Sequence, residues 1–345
     1  MASFRTGLAA ILWLVTASPL FAEEKPDENC LDDDMNNRCE AVAQAAQRAL
    51  YAAQPTEQLA ETNMLLLRAF FVDGYGNDVG MAQLDRRPGE EPRILFTFPG
   101  LGAGKPRTLE RIIDTSLLDT LVERSARFDA TLPPEPLPEG VISVCLHSWV
   151  VTVEMIDEDG KIRRKTEDAC SHELAVPLAF AMADTAVAAD PACTAIDPEY
   201  TRNSVTRLGS CNMLAGDRQV AAIAWNGLEA ANWLDPNNGE EASVRAKLKY
   251  DVELLWAGEE LVKGWQPVLD RLKVASEGDW YVKAVTGLDH RTARADLEFA
   301  VLVDGGEDGE DHYLVAAAPV AIEISDNRAT ISRIEVGEAS TISVD

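Results

Sequence analysis

Two Cys-x-His steps, Cys145-Leu146-His147 and Cys170-Ser171-His172, form the most specific chemistry-bearing pattern in the chain. Residues two apart on a strand share a face, so each cysteine would point the same way as its histidine. Between them, Asp157-Glu158-Asp159-Gly160 reads as the loop of a hairpin. Such a loop pairs Ile156 with Lys161, which sets Cys145 opposite His172 and His147 opposite Cys170. Two thiolates and two imidazoles on one face would suit tetrahedral zinc, or copper in an exported protein. The competing reading is a Cys145–Cys170 disulfide with the histidines as ordinary neighbours. Six cysteines stand at Cys30, Cys39, Cys145, Cys170, Cys193 and Cys211. An even count in an oxidising compartment favours disulfides, so no bound metal and no other cofactor is expected. The connectivity stays open, although short loops close at least entropic cost and favour Cys30–Cys39, Cys145–Cys170 and Cys193–Cys211.

Other constellations are weaker. Pro99-Gly100-Leu101-Gly102-Ala103-Gly104-Lys105-Pro106 follows a strand as a phosphate loop would. Prolines replace both the first glycine and the magnesium-binding hydroxyl, which leaves a plain glycine-rich turn. Asp32-Asp33-Asp34-Met35-Asn36-Asn37 offers oxygens at the first positions of a calcium loop, without its glycine or its closing acid. The acidic loop Asp304–Asp311 has no fixed ligand spacing. There is no Gly-x-Ser-x-Gly elbow. The steps Asp289-His290 and Asp311-His312 put neighbours on opposite faces of a strand. No residue is therefore assigned a catalytic role, and carboxylates remain the one source of acid–base chemistry.

The N-terminus has the order of a secretory signal: a positive charge at Arg5, an apolar run from Gly7 to Val15, and small residues up to Ala22. Cleavage there would start the mature chain at Glu23, and the apolar run is too short to span a bilayer. The expected location is periplasmic or extracellular. Lys and Arg total 31 against 58 Asp and Glu, a net charge of −27. That balance repels nucleic acid and anionic membranes and suits a basic partner, or simply a solvated surface.

The elements that must position these residues point to an α+β protein. In the N-terminal half we expect an antiparallel sheet with flanking helices, from Met64–Asp73, Val79–Leu84, Arg93–Phe98 and Val141–Ile156. A helix capped by Thr108 and another over the Ala-rich Leu174–Ala189 would cover it. A loop holding Pro191, Pro198, Cys193 and Cys211 leads out. Next come a helix from Gln219 and a longer one from about Asn238 toward Leu272, and then an antiparallel β meander. Its alternation runs through Leu297, Phe299, Val301 and Val303, and a hairpin turns at Asp326-Asn327-Arg328. The expected regions are a signal peptide over 1–22, a disulfide-bearing α+β region over 23–216, and the helical pair with its meander over 217–345. The Pro-rich stretch Leu132–Gly140 reads as a stiff surface connector. Five tryptophans fall between Trp225 and Trp280; helix packing is the favoured reading, and a groove beside Trp225, Trp233 or Trp256 the alternative.

Helices followed by a curved antiparallel sheet resemble the cone-shaped folds of small-ligand binders, at the level of architecture alone. Over one short stretch, Cys30…Met35-Asn36…Cys39 before an Ala-rich helix resembles exported lysozyme inhibitors, with the last spacing different by a single residue. The leading expectation is an exported binding or interaction protein, its partner an unknown small molecule or a basic protein. The alternatives are a carboxylate-dependent hydrolase of the cell envelope and an acidic inhibitor of a basic envelope enzyme such as lysozyme.

Overall fold

The computed structural model describes residues 45–60, 65–99, 105–131, 133, 148–157, 159–201, 203–231, 234–235, 241–275, 278–305 and 311–344. The chain falls into two compact units, Met1–Gln47 and Arg48–Asp345. The second is an α+β unit with two sheets. The signal-like N-terminus, Cys30, Cys39, the calcium-like loop, Cys145 and His147 lie outside the described residues.

The first sheet is antiparallel, in the order β4-β3-β2-β1-β5-β6. Its strands are β1 (Leu65–Val72), β2 (Asp78–Arg86), β3 (Arg93–Phe98), β4 (Arg107–Ile112), β5 (Val150–Ile156) and β6 (Ile162–Asp168). The central strand β1, LLLRAFFV, is apolar on both faces because both are covered. Leu65, Leu67, Ala69 and Phe71 enter the main core, whereas Leu66 and Phe70 enter smaller clusters on the opposite face. The turn after β1 is built by Asp73, whose carboxylate accepts the N–H groups of Tyr75 and Asn77 at 2.9 Å each.

Local structure departs from the sequence expectations in four places. First, Asp114 and not Thr108 caps the helix α2 (Thr115–Ser125), its carboxylate accepting from the Leu117 N–H at 2.9 Å. (The short helix α1 is Thr56–Ala60.) Residues 107–112 instead form the edge strand β4, since β3 needs a partner for its second row of backbone groups. Second, the β5–β6 hairpin pairs Ile156 with Ile162 and Val150 with Asp168, one residue away from the expected register. Asp157 closes it: its N–H donates to the Lys161 carbonyl, and its side chain accepts the Lys161 N–H at 2.8 Å. Gly160 takes the positive φ of +74° that this longer loop requires.

Third, the segment after the long helix α3 (Ala175–Ala188) is helical and not a loop. It forms α4 (Pro191–Thr194), a 3-10 turn at Pro198–Tyr200 and α5 (Ser204–Asn212), with Asp190, Asp197 and Asn203 as caps. Fourth, the long helix expected from Asn238 is interrupted by a strand. After α6 (Arg218–Ala230) come α7 (Glu241–Lys247), β8 (Leu248–Trp256), β9 (Val262–Lys263) and α8 (Trp265–Val274). Val252 and Leu254 of β8 are buried against the core while Glu253 and Leu255 between and after them are not, which is strand alternation.

The second sheet runs β7-β10-β11-β12-β13-β8-β9, with β14 also on β12. Its further strands are β7 (Leu214–Gly216), β10 (Asp279–Asp289), β11 (Thr292–Gly305), β12 (Asp311–Ser325), β13 (Arg328–Val336) and β14 (Ser340–Val344). β10 to β13 are the expected antiparallel meander; β7 and β8 join its two sides in parallel. Asp326 and Asn327, at φ +49° and +58°, make the two-residue turn between β12 and β13. Helix α6 lies on the inner face of this sheet, with Gly227 against Ala329. One hydrophobic core runs from the first sheet through α3, α5 and α6 into the second.

Candidate functional site

The inner face of the second sheet is longer than the helix that covers it. Ala293, Ala295 and Leu297 of β11 are buried in the core that α6 completes. The same face continues with Phe299 and Val301, which pair across the ladder with Ala316 and Leu314 of β12. Residues opposite one another in a ladder share a face, so these four side chains make an apolar floor. The far wall is the end of β8 with its turn, Trp256-Ala257-Gly258, beside the end of β13, Val336-Gly337-Glu338-Ala339. Together they enclose an open groove of about 440 Å³, a size that accommodates a small molecule.

Aromatic rings shape one side of it. Phe299 packs edge to face with Trp256 at 5.4 Å between centroids and 82° between planes, and tilted on Trp280 at 4.8 Å and 49°. Gly278 makes room for this: a Cβ there would stand 2.5 Å from the Phe299 ring, so only glycine lets the phenyl lie over the backbone. Trp256 is held from behind by α8, whose Arg271 guanidinium stacks 4.2 Å from the indole centroid. Arg271 in turn donates two hydrogen bonds to Glu259, at 2.9 and 2.6 Å. That bond and charge hold the Glu259 carboxyl below its ordinary range and raise the guanidinium. The charged pair therefore fixes an aromatic wall.

Glu338 is the one ionisable side chain on the lining, and it makes no ion pair among the described residues. The backbone donors beside it are engaged: the Ala257 N–H donates to the Val336 carbonyl and the Gly337 N–H to the Ala317 carbonyl, both at 2.8 Å. Of the tryptophans considered from sequence, Trp256 lines this groove, Trp225 is buried within α6, and Trp233 lies outside the described residues.

Two polar clusters elsewhere are tied together by ion pairs among buried and part-buried groups. On the outer face of the first sheet, Glu154 and Arg68 are each 1% exposed and pair at 3.2 Å. Arg48 and Arg164 also reach Glu154, at 2.9 and 3.1 Å, and Thr56 donates to it at 2.5 Å. Burial pushes the Glu154 carboxyl up, but the hydrogen bonds and the arginine charges outweigh it and leave the group below its usual range. The second cluster surrounds Asp190. Its carboxylate accepts from Arg111, Arg218 and the N–H groups of Ala192 and Cys193. Burial again opposes, and the two arginines again win, so Asp190 stays ionised.

Cys193 and Cys211 are joined in a buried disulfide beside Asp190, with Arg218 Nη2 3.0 Å from Cys211 Sγ. Asp190, Cys193 and Cys211 are close enough to gather round a metal ion. The disulfide sulfurs are not thiolates, however, and the carboxylate is already taken by two guanidiniums, so the donor set does not fit one. Cys170 is disulfide-bonded as well. It and His172 sit in the turn after β6, where the Asp168 carboxylate accepts the Cys170 N–H at 2.8 Å. Of the quartet weighed from sequence as the alternative to a disulfide, Cys170 and His172 follow the end of β6, while Cys145 and His147 lie outside the described residues.

No protein-family model and no curated protein sequence matches the chain. Among solved structures it is similar to a hexachlorocyclohexane dehydrochlorinase of Novosphingobium barchaimii, at 14% identity and a TM-score of 0.30, over 37% of this chain and 92% of that one. It is also similar to a ketosteroid isomerase-like protein of Erwinia carotovora, at 13% identity and a TM-score of 0.29, over 35% and 96% of the two chains. A third is an NTF-2 like protein of unknown function from Shewanella oneidensis, at 13% identity and a TM-score of 0.26, over 32% and 92%. At such values nothing about chemistry passes from those proteins to this chain. Among the described residues, no helix is long and apolar enough to cross a membrane.

Proposed function

We propose that this chain is an exported binding protein whose groove at Trp256 and Phe299 takes an apolar small molecule. The observation that carries the reading is the stretch of inner sheet face at Phe299, Val301, Leu314 and Ala316, where Val301 and Leu314 stay partly open beside an aromatic wall instead of lying under the helix that buries the rest. Apolar concavities with few polar groups are the usual form of small-molecule sites. Carboxylate hydrolysis needs two acids converging on one cleft, and the lining of this one supplies Glu338 alone. Export is supported by the signal-like N-terminus and by the Cys193–Cys211 disulfide, which suits an oxidising compartment.

The test uses N-phenyl-1-naphthylamine, an uncharged dye that brightens in apolar surroundings. The full chain should bind it saturably, at micromolar levels. Leu314→Asn, on the groove floor and 38% exposed, should weaken binding by about fivefold or more without loss of folding, as expected for removing a buried apolar contact. Leu288→Asn, exposed and away from the groove lining, should leave it unchanged. Absence of saturable binding, or equal loss in both variants, would overturn the reading.

A further inference from the structure

We propose that the groove selects by charge, and that its ligand is an apolar molecule carrying one positive charge: an amine or quaternary ammonium on an aliphatic or aromatic body. The inference rests on the groove's being a small-molecule site and goes one step past it.

Three observations point the same way. Among the described residues the lining contains no lysine, arginine or histidine, its one charged side chain is the carboxylate of Glu338, and no cation pairs with it. The cation closest in function, Arg271, faces Trp256 and is neutralised by its two bonds to Glu259. An anionic headgroup would therefore meet a repelling carboxylate, with the N–H donors of Ala257 and Gly337 already committed to the Val336 and Ala317 carbonyls. A cation meets that carboxylate beside the apolar floor, with no like charge on the described lining to repel it. At longer range the chain's net charge of −27 concentrates cations at every mouth on its surface.

Calorimetric titration of the full chain with three probes on one naphthalene body separates the outcomes. These are 2-naphthylmethyl-trimethylammonium, 2-naphthylmethanol and 2-naphthylacetate. At low salt the cation should bind at least about fivefold more tightly than the alcohol, and the carboxylate most weakly, with the advantage shrinking as salt is added. Glu338→Gln should remove most of that advantage and leave the alcohol within about twofold of wild type, since a carboxylate contributes little to holding a neutral ring. Glu338 is exposed, so folding should be unaffected. Equal binding of cation and alcohol, tighter binding of the carboxylate, or an unchanged preference in Glu338→Gln would overturn the charge selection. Failure of all three probes to bind would instead overturn the groove itself.

Discussion

Glu229, near the end of α6, is half-buried, and no arginine among the described residues neutralises it. Burial pushes its pKa from 4.5 to about 7, against the lowering effect of a hydrogen bond with Trp225. The native chain thus holds a proton that the unfolded chain releases near pH 4.5. A raised carboxyl pKa contributes stability that is fully present below the unfolded value and lost as pH rises through the folded one. Glu154 and Asp190 act in the opposite sense. Their native pKa values are lowered, so their contribution is present above the ordinary carboxylate range and lost as pH falls through the folded values. Urea denaturation at about pH 5 and about pH 8 should show wild type losing on the order of 2 kcal/mol from this one group across the interval. In Glu229→Gln that loss should largely disappear; an unchanged difference would show that Glu229 titrates normally.

Two glycines in helices show how an element's surroundings decide the sign of a substitution. A Cβ on Gly227 of α6 would stand 2.5 Å from the Cβ of Ala329, which is fixed to its strand and cannot rotate away. Gly209 of α5 has nothing within 4 Å of that position. Alanine is preferred in a helix interior by about 1 kcal/mol, whereas overpacking a core costs about 1–3 kcal/mol. Gly209→Ala should therefore leave the melting temperature equal or higher, and Gly227→Ala should lower it; a rise in both would mean that α6 is free to move off the sheet.

The same competition between local and distant forces sets how much was legible in the sequence. The meander could be read because Leu297, Phe299 and Val301 alternate and Asp326-Asn327 suits a tight turn. Strand β8 could not: Leu248, Val252 and Trp256 are also spaced as one face of a helix, and the choice is made by parallel pairing with β13, far along the chain. The edge strand β4 was hidden likewise, since only β3 makes its extended form worthwhile. Trp256 and Phe299 were each visible as residues, but their meeting was not. It depends on Gly278 yielding space and on Arg271 arriving from α8, and neither has a local signature.

At the scale of the whole molecule, the acidic surface and the N-terminus make the export reading checkable. Intact-mass measurement of the secreted protein should give a chain beginning at Glu23; retention of Met1 would overturn it. A second consequence concerns the order in which the molecule can assemble. β7 at Leu214–Gly216 finds its only ladder partner among the described strands at Val285–Gly287, and β8 at Leu248–Trp256 pairs with β9 locally but with β13 at Ile331–Val336 for most of its length. Hairpins such as β12–β13 close across two residues and form early, while these parallel joins carry the entropic cost of long loops and form late. A chain stopped short of β13 leaves one backbone edge of β8 unpaired. The two strands that join the helices to the sheet should thus be secured last, and a chain lacking β13 should be digested by protease faster than the full chain.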